Sequence, residues 1–206
     1  MYCLPDGYQS REKPEYYHVS SETVLWQADV YAYAYELAHS LKVKTVIDIG
    51  CGDGRKLNGF FREFLCIGLD YGENLKRCNR LVDCQWVECN LEDEDSHPNW
   101  DSDMLENTLI ICADVIEHLL KPEILLDLLA DCVDLGAGLV LSSPERDLTH
   151  GKGHMGMPPN PCHVREWNEA EFRCLLAQYH LEDVAFRIVP PYGGSEKLST
   201  MMAVIL

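Results

Sequence analysis

From Thr45 onward the chain alternates short apolar runs with longer stretches in which apolar residues recur every three or four positions. Runs of the first kind predict buried strands, and those of the second predict helices with one apolar face. Strands are expected over Thr45–Ile49, Cys66–Asp70, Gln85–Cys89, Thr108–Ala113 and Leu139–Ser142. Helices are expected near Lys56–Phe64, near Asn74–Leu81, and from Pro122, a residue suited to a first helical turn, as far as Gly136. Ahead of these, Val24, Ala28, Tyr31, Tyr35 and Ala38 repeat at helical spacing, with Ser21 as cap and Glu22 in the first turn. The alternation of Tyr and Ala over 31–35 also suits a strand, but one helix to about Leu41 explains more of the segment. Residues 1–20 read as irregular.

Ser143 to Trp167 forms a long connection rich in Pro, Gly and His, and loops of that length inside a compact domain are usually functional or disordered. Asn168 and Glu171 open a last helix that ends near His180. Val184–Val189 and Thr200–Leu206 are strand-like and flank Pro190-Pro191-Tyr192-Gly193-Gly194, which predicts a hairpin at a sheet edge. Strands that alternate with helices pair in parallel, because the connection must cross over. The expected fold is therefore α/β, one domain over residues 1–206, with a mostly parallel sheet, helices on both faces and an antiparallel C-terminal hairpin. There is no internal repeat.

Charge narrows the partners. Acids outnumber bases 34 to 17, giving a formal net charge of −17, so a phosphate polymer has little to bind and nucleic acid is disfavoured. The acidic stretch from Glu88 to Glu106 reads as a solvated loop. Ten cysteines without a CxxC pair read as reduced thiols, many of them in the core. Met1–Lys13 interrupts any apolar core with Pro5, Asp6 and Gly7, and no apolar run is long enough to span a membrane. A cytoplasmic protein with no membrane contact is expected; its oligomeric state is left open.

The chemistry concentrates in Val46-Ile47-Asp48-Ile49-Gly50-Cys51-Gly52-Asp53-Gly54, where a buried strand meets a glycine-rich turn. Glycine there lets the backbone bend sharply and approach a ligand at the strand ends. Asp70 ends the second strand, where a carboxylate accepts both hydrogens of a ribose diol. A dinucleotide site wants a third glycine where Arg55 stands, and Asp53 would face its phosphates, so nicotinamide chemistry is disfavoured. S-adenosylmethionine carries a sulfonium and an ammonium and no phosphate, which suits an acidic turn.

The phrase Asp48-Ile-Gly-Cys-Gly-Asp-Gly54 resembles motif I of class I S-adenosylmethionine-dependent methyltransferases. Gly68-Leu-Asp-Tyr71 resembles their second-strand motif, and Asp114-Val-Ile-Glu-His-Leu119 the fourth-strand exit of many small-molecule members. The resemblance runs from about Thr45 to Leu206 and implies a Rossmann-like fold. It also implies cofactor contacts: Gly50, Cys51 and Gly52 at the methionine part, Asp70 at the ribose, Tyr71 against adenine, and Asn90 and Leu91 at the adenine edge, with Asp48 also among the cofactor-binding residues. Ala113 and Asp114 would lie beside the reacting methyl. Asn90 stands where many members carry Asp.

Methyl transfer to a hydroxyl needs a base; transfer to a carboxylate or thiolate does not. His118 and His163 are the candidates for that base, with Arg165 and Trp167 as acceptor-binding residues and Gln27 and Tyr31 as contacts from the first helix. Asp114, Glu117, His118 and His163 also resemble the metal site of small-RNA 2'-O-methyltransferases, with departures at Asp114 and Val164, and the acidic surface argues against RNA. A second set, His150, His154, Cys162 and His163, lacks regular zinc spacing. No metal is assigned. The expected activity is methyl transfer from S-adenosylmethionine to oxygen, less readily nitrogen, of a small molecule or glycan precursor. The alternatives are a metal-assisted 2'-O-methyltransferase-like enzyme and a non-catalytic cofactor-binding module with a protein partner.

Overall fold

A computed structural model describes residues 2–19, 25–78, 84–182 and 184–206. Seven strands form one sheet in the order β3-β2-β1-β4-β5-β7-β6: β1 Thr45–Ile49, β2 Leu65–Asp70, β3 Cys84–Glu88, β4 Thr108–Ala113, β5 Gly138–Pro144, β6 Val184–Val189 and β7 Thr200–Ile205. The first five run parallel, and β7 is antiparallel to both β5 and β6. Every residue of β1 and β4 is buried, as expected for central strands covered on both faces. This is the expected doubly covered α/β sheet.

Two apolar clusters cover the faces. On one, α1 (Ala28–Leu41) places Val30, Tyr31, Ala34 and Ala38 against Val46, Leu109 and Val140. On the other, α4 (Pro122–Asp134) and α6 (Glu169–Ala177) pack Leu125, Leu129, Phe172 and Leu176 against Ile47, Ile110 and Leu139. The α6 cap is reciprocal: the Asn168 side chain accepts from the Glu171 amide at 3.0 Å, and the Glu171 carboxylate accepts from the Asn168 amide at 3.1 Å.

Several local expectations are corrected. Helix α1 starts at Ala28, after Gln27 at φ 54°, and the expected cap Ser21 with Glu22 and Val24 falls outside the described residues. The helix expected over 56–64 is only a 3-10 turn, Arg55–Gly59. Left-handed Gly54 leads into it, and Leu57, Phe60 and Phe64 reach the core from this turn and the loop after it. The second helix, α2, covers Gly72–Cys78, and its expected continuation to Leu81 lies outside the described residues. The acidic stretch holds a 3-10 turn, Glu94–Ser96, and a short helix α3, Ser102–Leu105. The connection after β5 is not wholly irregular, since α5 (Arg146–His150) lies in it and is capped by the Glu145 carboxylate.

The thiol expectation is corrected at one pair: Cys3 and Cys174 are joined in a disulfide, and the other eight cysteines form none. That bond fastens the N-terminal segment to α6. Among the described residues, no helix is long and apolar enough to cross a membrane.

Candidate active site

A cavity of about 700 Å³ opens beyond the C-terminal ends of β1, β2 and β4. Its cofactor end is built by the turn after β1. Gly50 sits at φ 75°, and a Cβ there would lie 2.4 Å from Val115 Cγ2, so glycine is needed for both conformation and space. Gly52, at φ 62°, donates its amide to the Asp70 carboxylate at 2.7 Å, and the Tyr71 amide donates to the other oxygen at 2.8 Å. Burial pushes the Asp70 carboxyl up to about 6 while these amides pull it down. The Asn74 side chain adds a further hydrogen bond that also lowers it.

The N-terminal segment straps this end. The Tyr16 hydroxyl donates to the Tyr71 carbonyl at 2.8 Å, the Asn74 side chain donates to the Tyr17 carbonyl, and its oxygen accepts from the Val19 amide. Gly50, Cys51, Gly52, Asp70, Tyr71, Leu91, Ala113 and Asp114 all line the cavity. Asn90 does not line it; its side-chain oxygen accepts from the Glu92 amide and its carbonyl from the Ser96 hydroxyl, so it is spent on closing a turn.

Asp48 also stands back from the cavity, wholly buried, with the Tyr31 hydroxyl 3.0 Å from each carboxylate oxygen. Burial drives its carboxyl up to about 7, against the pull of Lys56 and the Tyr31 hydroxyl. Asp114 adopts φ 52°; its carboxylate accepts from the Ser142 hydroxyl at 2.5 Å and from Gln27 Nε2 at 2.9 Å. The Gln27 side-chain oxygen in turn accepts from Lys56 Nζ. Gln27, foreseen only as a contact, thus bridges the fourth-strand exit to a buried lysine that no sequence pattern singles out.

At the far end, three side chains converge. Glu117, His118 and His163 bring one donor atom each within 4.8 Å of one another. Glu117 is fully buried; one oxygen accepts from the Ser143 hydroxyl at 3.2 Å and the other, Oε1, has no partner. Burial drives its carboxyl well above the ordinary range, and the neighbouring Asp114 charge adds to the shift. The His118 ring is held through Nδ1 on the Cys162 carbonyl at 3.0 Å. Burial, reinforced by His163, pushes it down to about 3, so it stays neutral at any physiological pH.

The tautomer of His163 follows from its neighbours. Asn160 accepts the Cys162 amide through Oδ1, which turns its NH₂ toward His163 Nε2 at 2.9 Å. Nε2 therefore carries the lone pair, and Nδ1–H donates to Glu166 at 2.5 Å. Glu166 also faces His150 Nε2 at 2.6 Å, and the two histidines hold its carboxyl below the ordinary value. The spacing His163-x-x-Glu166 was visible in sequence, but only the fold shows that it is a hydrogen bond. Asp114 is not in this trio, its carboxylate being turned to Ser142 and Gln27. His150 and His154 stack ring to ring at 5.0 Å without joining a ligand group among the described residues.

Arg165 and Trp167 are corrected. Neither lines the cavity. The Arg165 guanidinium donates to the carbonyls of Leu119 and Leu120 and lies over the Tyr2 ring at 4.2 Å, while Trp167 is fully buried and donates to the Tyr2 carbonyl at 2.9 Å. Both tie the N-terminal segment to the core, a long-range use that the local motif could not reveal.

A glycine turn at the end of a central parallel strand, a carboxylate on the next strand and a cavity at the fourth-strand exit define a class I nucleoside-cofactor transferase fold. The family model described as a methyltransferase domain matches residues 28–185, and the chain belongs to this family of S-adenosylmethionine-dependent methyltransferases. Its fold is similar to that of the small RNA methyltransferase HEN1, at 17% identity and TM-score 0.64; that match covers 94% of this chain and 26% of the other, about a quarter of its length. It is similar to the N-terminal domain of EvdMO1 in the presence of S-adenosylhomocysteine and D-fucose, at 16% identity, covering 96% and 89% of the two chains with TM-score 0.60. A methyltransferase from Archaeoglobus fulgidus matches at 18% identity, covering 86% and 93%, with TM-score 0.59. No curated protein matches the chain.

Proposed function

We propose that the chain transfers the methyl of S-adenosylmethionine to a hydroxyl oxygen of a small molecule or glycan precursor. The observation that carries this reading is the single cavity that joins the Asp70 end to the Glu117, His118 and His163 trio. The acceptor oxygen attacks the methyl carbon in line, the carbon–sulfur bond breaks, and the electron pair leaves on sulfur. The hydroxyl proton then needs a lone pair, which His118 Nε2 offers, and which His163 Nε2 offers once the acceptor displaces the Asn160 amide from it. Asp70 holds the ribose, Asp114 lies beside the reacting methyl, and the strap over Tyr71 and Asn74 excludes water. Among the structural neighbours, one was crystallised in the presence of D-fucose and another acts on small RNA. The net charge of −17 favours the first kind of acceptor.

A second reading adds a divalent cation at the trio. The residues fit it: a buried carboxylate oxygen without a partner faces two imidazoles, and mixed oxygen and nitrogen donors suit a first-row divalent ion. Such an ion would lower the pKa of a coordinated acceptor hydroxyl. Glu117, His118 and His163 would hold it, with Glu166 fixing the His163 ring. A cytoplasmic setting is kept with this reading, since eight of the ten cysteines stay outside any disulfide.

The test is release of S-adenosylhomocysteine from the purified protein with candidate polyol acceptors, before and after chelation, alongside elemental analysis. Turnover that chelation abolishes and Mn²⁺ or Mg²⁺ restores supports the cation, whereas turnover untouched by chelation leaves the histidines as bases. Cofactor binding without turnover on any hydroxyl acceptor would reject oxygen methylation.

A further inference from the structure

We infer that the acceptor end of the cavity is a subsite for an uncharged saccharide ring, bordered by two exposed aromatic side chains; this rests on the oxygen-methylation reading above. Trp26 and Tyr17 both line the cavity, and both stay open to solvent at 39% and 37% exposure, although large aromatics ordinarily gain by burial. Each is tied to a different part of the site. Trp26 adjoins Gln27, whose amide is bonded to Asp114, while the Tyr17 ring lies 5.5 Å from the His118 ring. Trp26 is braced rather than loose: Tyr192 meets it edge to face at 5.5 Å, and the same two residues form an isolated backbone bridge.

Charge selects what can lie there. The cavity is lined by six carboxyl groups, those of Glu15, Asp70, Glu92, Asp114, Glu117 and Glu166. Among the described residues lining it, Lys56 is the only lysine or arginine, and its amino group is engaged by Gln27 and sits near Asp48 and Asp114. Arg165 is turned to backbone carbonyls, and Arg11 likewise donates to the carbonyls of His163 and Pro158. A phosphate or carboxylate on the acceptor would therefore meet carboxylates without a free lysine or arginine, a contact that costs free energy.

An uncharged polyol avoids that cost. Its hydroxyls find partners in Thr149, Asn160, Ser199 and Thr200, which also line the cavity, and in the carboxylates as acceptors. A pyranose ring presents an apolar face of C–H groups and a rim of hydroxyls, which matches an open aromatic surface set among neutral and acidic polar groups.

The test is saturation-transfer NMR on the full chain loaded with S-adenosylhomocysteine, using methyl α-glucopyranoside, glucose 6-phosphate, glucuronate and adenosine monophosphate as probes. Calorimetry first measures S-adenosylhomocysteine itself. The expected result is transfer to the neutral glycoside and not to the three anions. Trp26→Ala or Tyr17→Ala should weaken glycoside binding about tenfold, equivalent to ~1.4 kcal/mol, and Trp26→Phe should restore it, with S-adenosylhomocysteine still bound as evidence of folding. Cofactor binding without glycoside signal, stronger signal from adenosine monophosphate, or equal glycoside binding by the alanine variants would each overturn the saccharide subsite and leave the methyltransferase reading standing. Failure to bind S-adenosylhomocysteine would sink that reading, and this inference with it.

Discussion

The Gly52 amide and the Asp70 carboxylate lie 2.7 Å apart and lock the turn after β1 to the end of β2. A side-chain oxygen that accepts a backbone N–H in a buried place is worth more than one at the surface, because the alternative is an unsatisfied amide. The same carboxylate is the ribose acceptor of the proposed site. Asp70→Ala should therefore weaken S-adenosylhomocysteine binding by about 10- to 100-fold, the range of ~1.5–3 kcal/mol for hydrogen bonds to a charged group. Calorimetry measures it, and unchanged affinity would remove Asp70 from the site.

Gly50→Ala tests the close approach of the turn. The left-handed conformation alone costs an L-residue about 1–2 kcal/mol, and the new Cβ would lie 2.4 Å from Val115 Cγ2. A clear fall in melting temperature together with lost cofactor affinity is expected. A variant as stable as the parent would mean that the turn relaxes freely.

Glu117→Gln should separate stability from function. The parent carboxyl is fully buried with one oxygen unpaired, and a neutral amide removes the burden of a buried charge. Without metal, the variant should unfold at equal or higher urea, by up to about 1–3 kcal/mol, while turnover and Mn²⁺ binding fall sharply. A strongly destabilised variant would instead make Glu117 a structural group.

Asp48 sets a pH dependence. Its carboxyl rises from an ordinary 3.8 to about 7 in the folded chain. Between those values the folded state holds a proton that the unfolded state has lost, so this group's contribution to stability falls as pH rises through that window. Asp48→Asn removes this group's share of the slope and leaves that of Asp70 and Glu117. Thermal unfolding from pH 4.5 to 7.5, about the span of that window, should show the parent losing ground to the variant, and parallel curves would contradict the assignment.

Removing the Cys3–Cys174 bond should loosen the strap. Cross-links over long loops contribute about 2–4 kcal/mol, and this one spans 171 positions. Cys174→Ser should lower the melting temperature in the absence of reductant, and reductant should lower the parent to the same value without further effect on the variant. Equal melting curves without reductant would show that the bond carries no stability.

The order of strands and helices, the glycine turn and the carboxylate at the end of β2 were legible in the sequence, because each depends on periodicity or on residues adjacent in the chain. The Asn168 and Glu171 capping box was legible for the same reason. Where the chain failed to announce its structure, the cause was long-range packing. Leu57, Phe60 and Phe64 reach the core without the α-helix their spacing suggested.

Arg165 and Trp167 looked like acceptor contacts because they follow His163, yet residues from the other end of the chain claim them, Tyr2 most of all. The union of Glu117, His118 and His163 across 46 positions, and the pairing of Gln27 with both Lys56 and Asp114, belong equally to the tertiary structure. Burial and hydrogen-bond partnership are properties of the space around a residue. The sequence could name the groups available for chemistry; only folding decided which of them share a cavity and which are spent on holding it together.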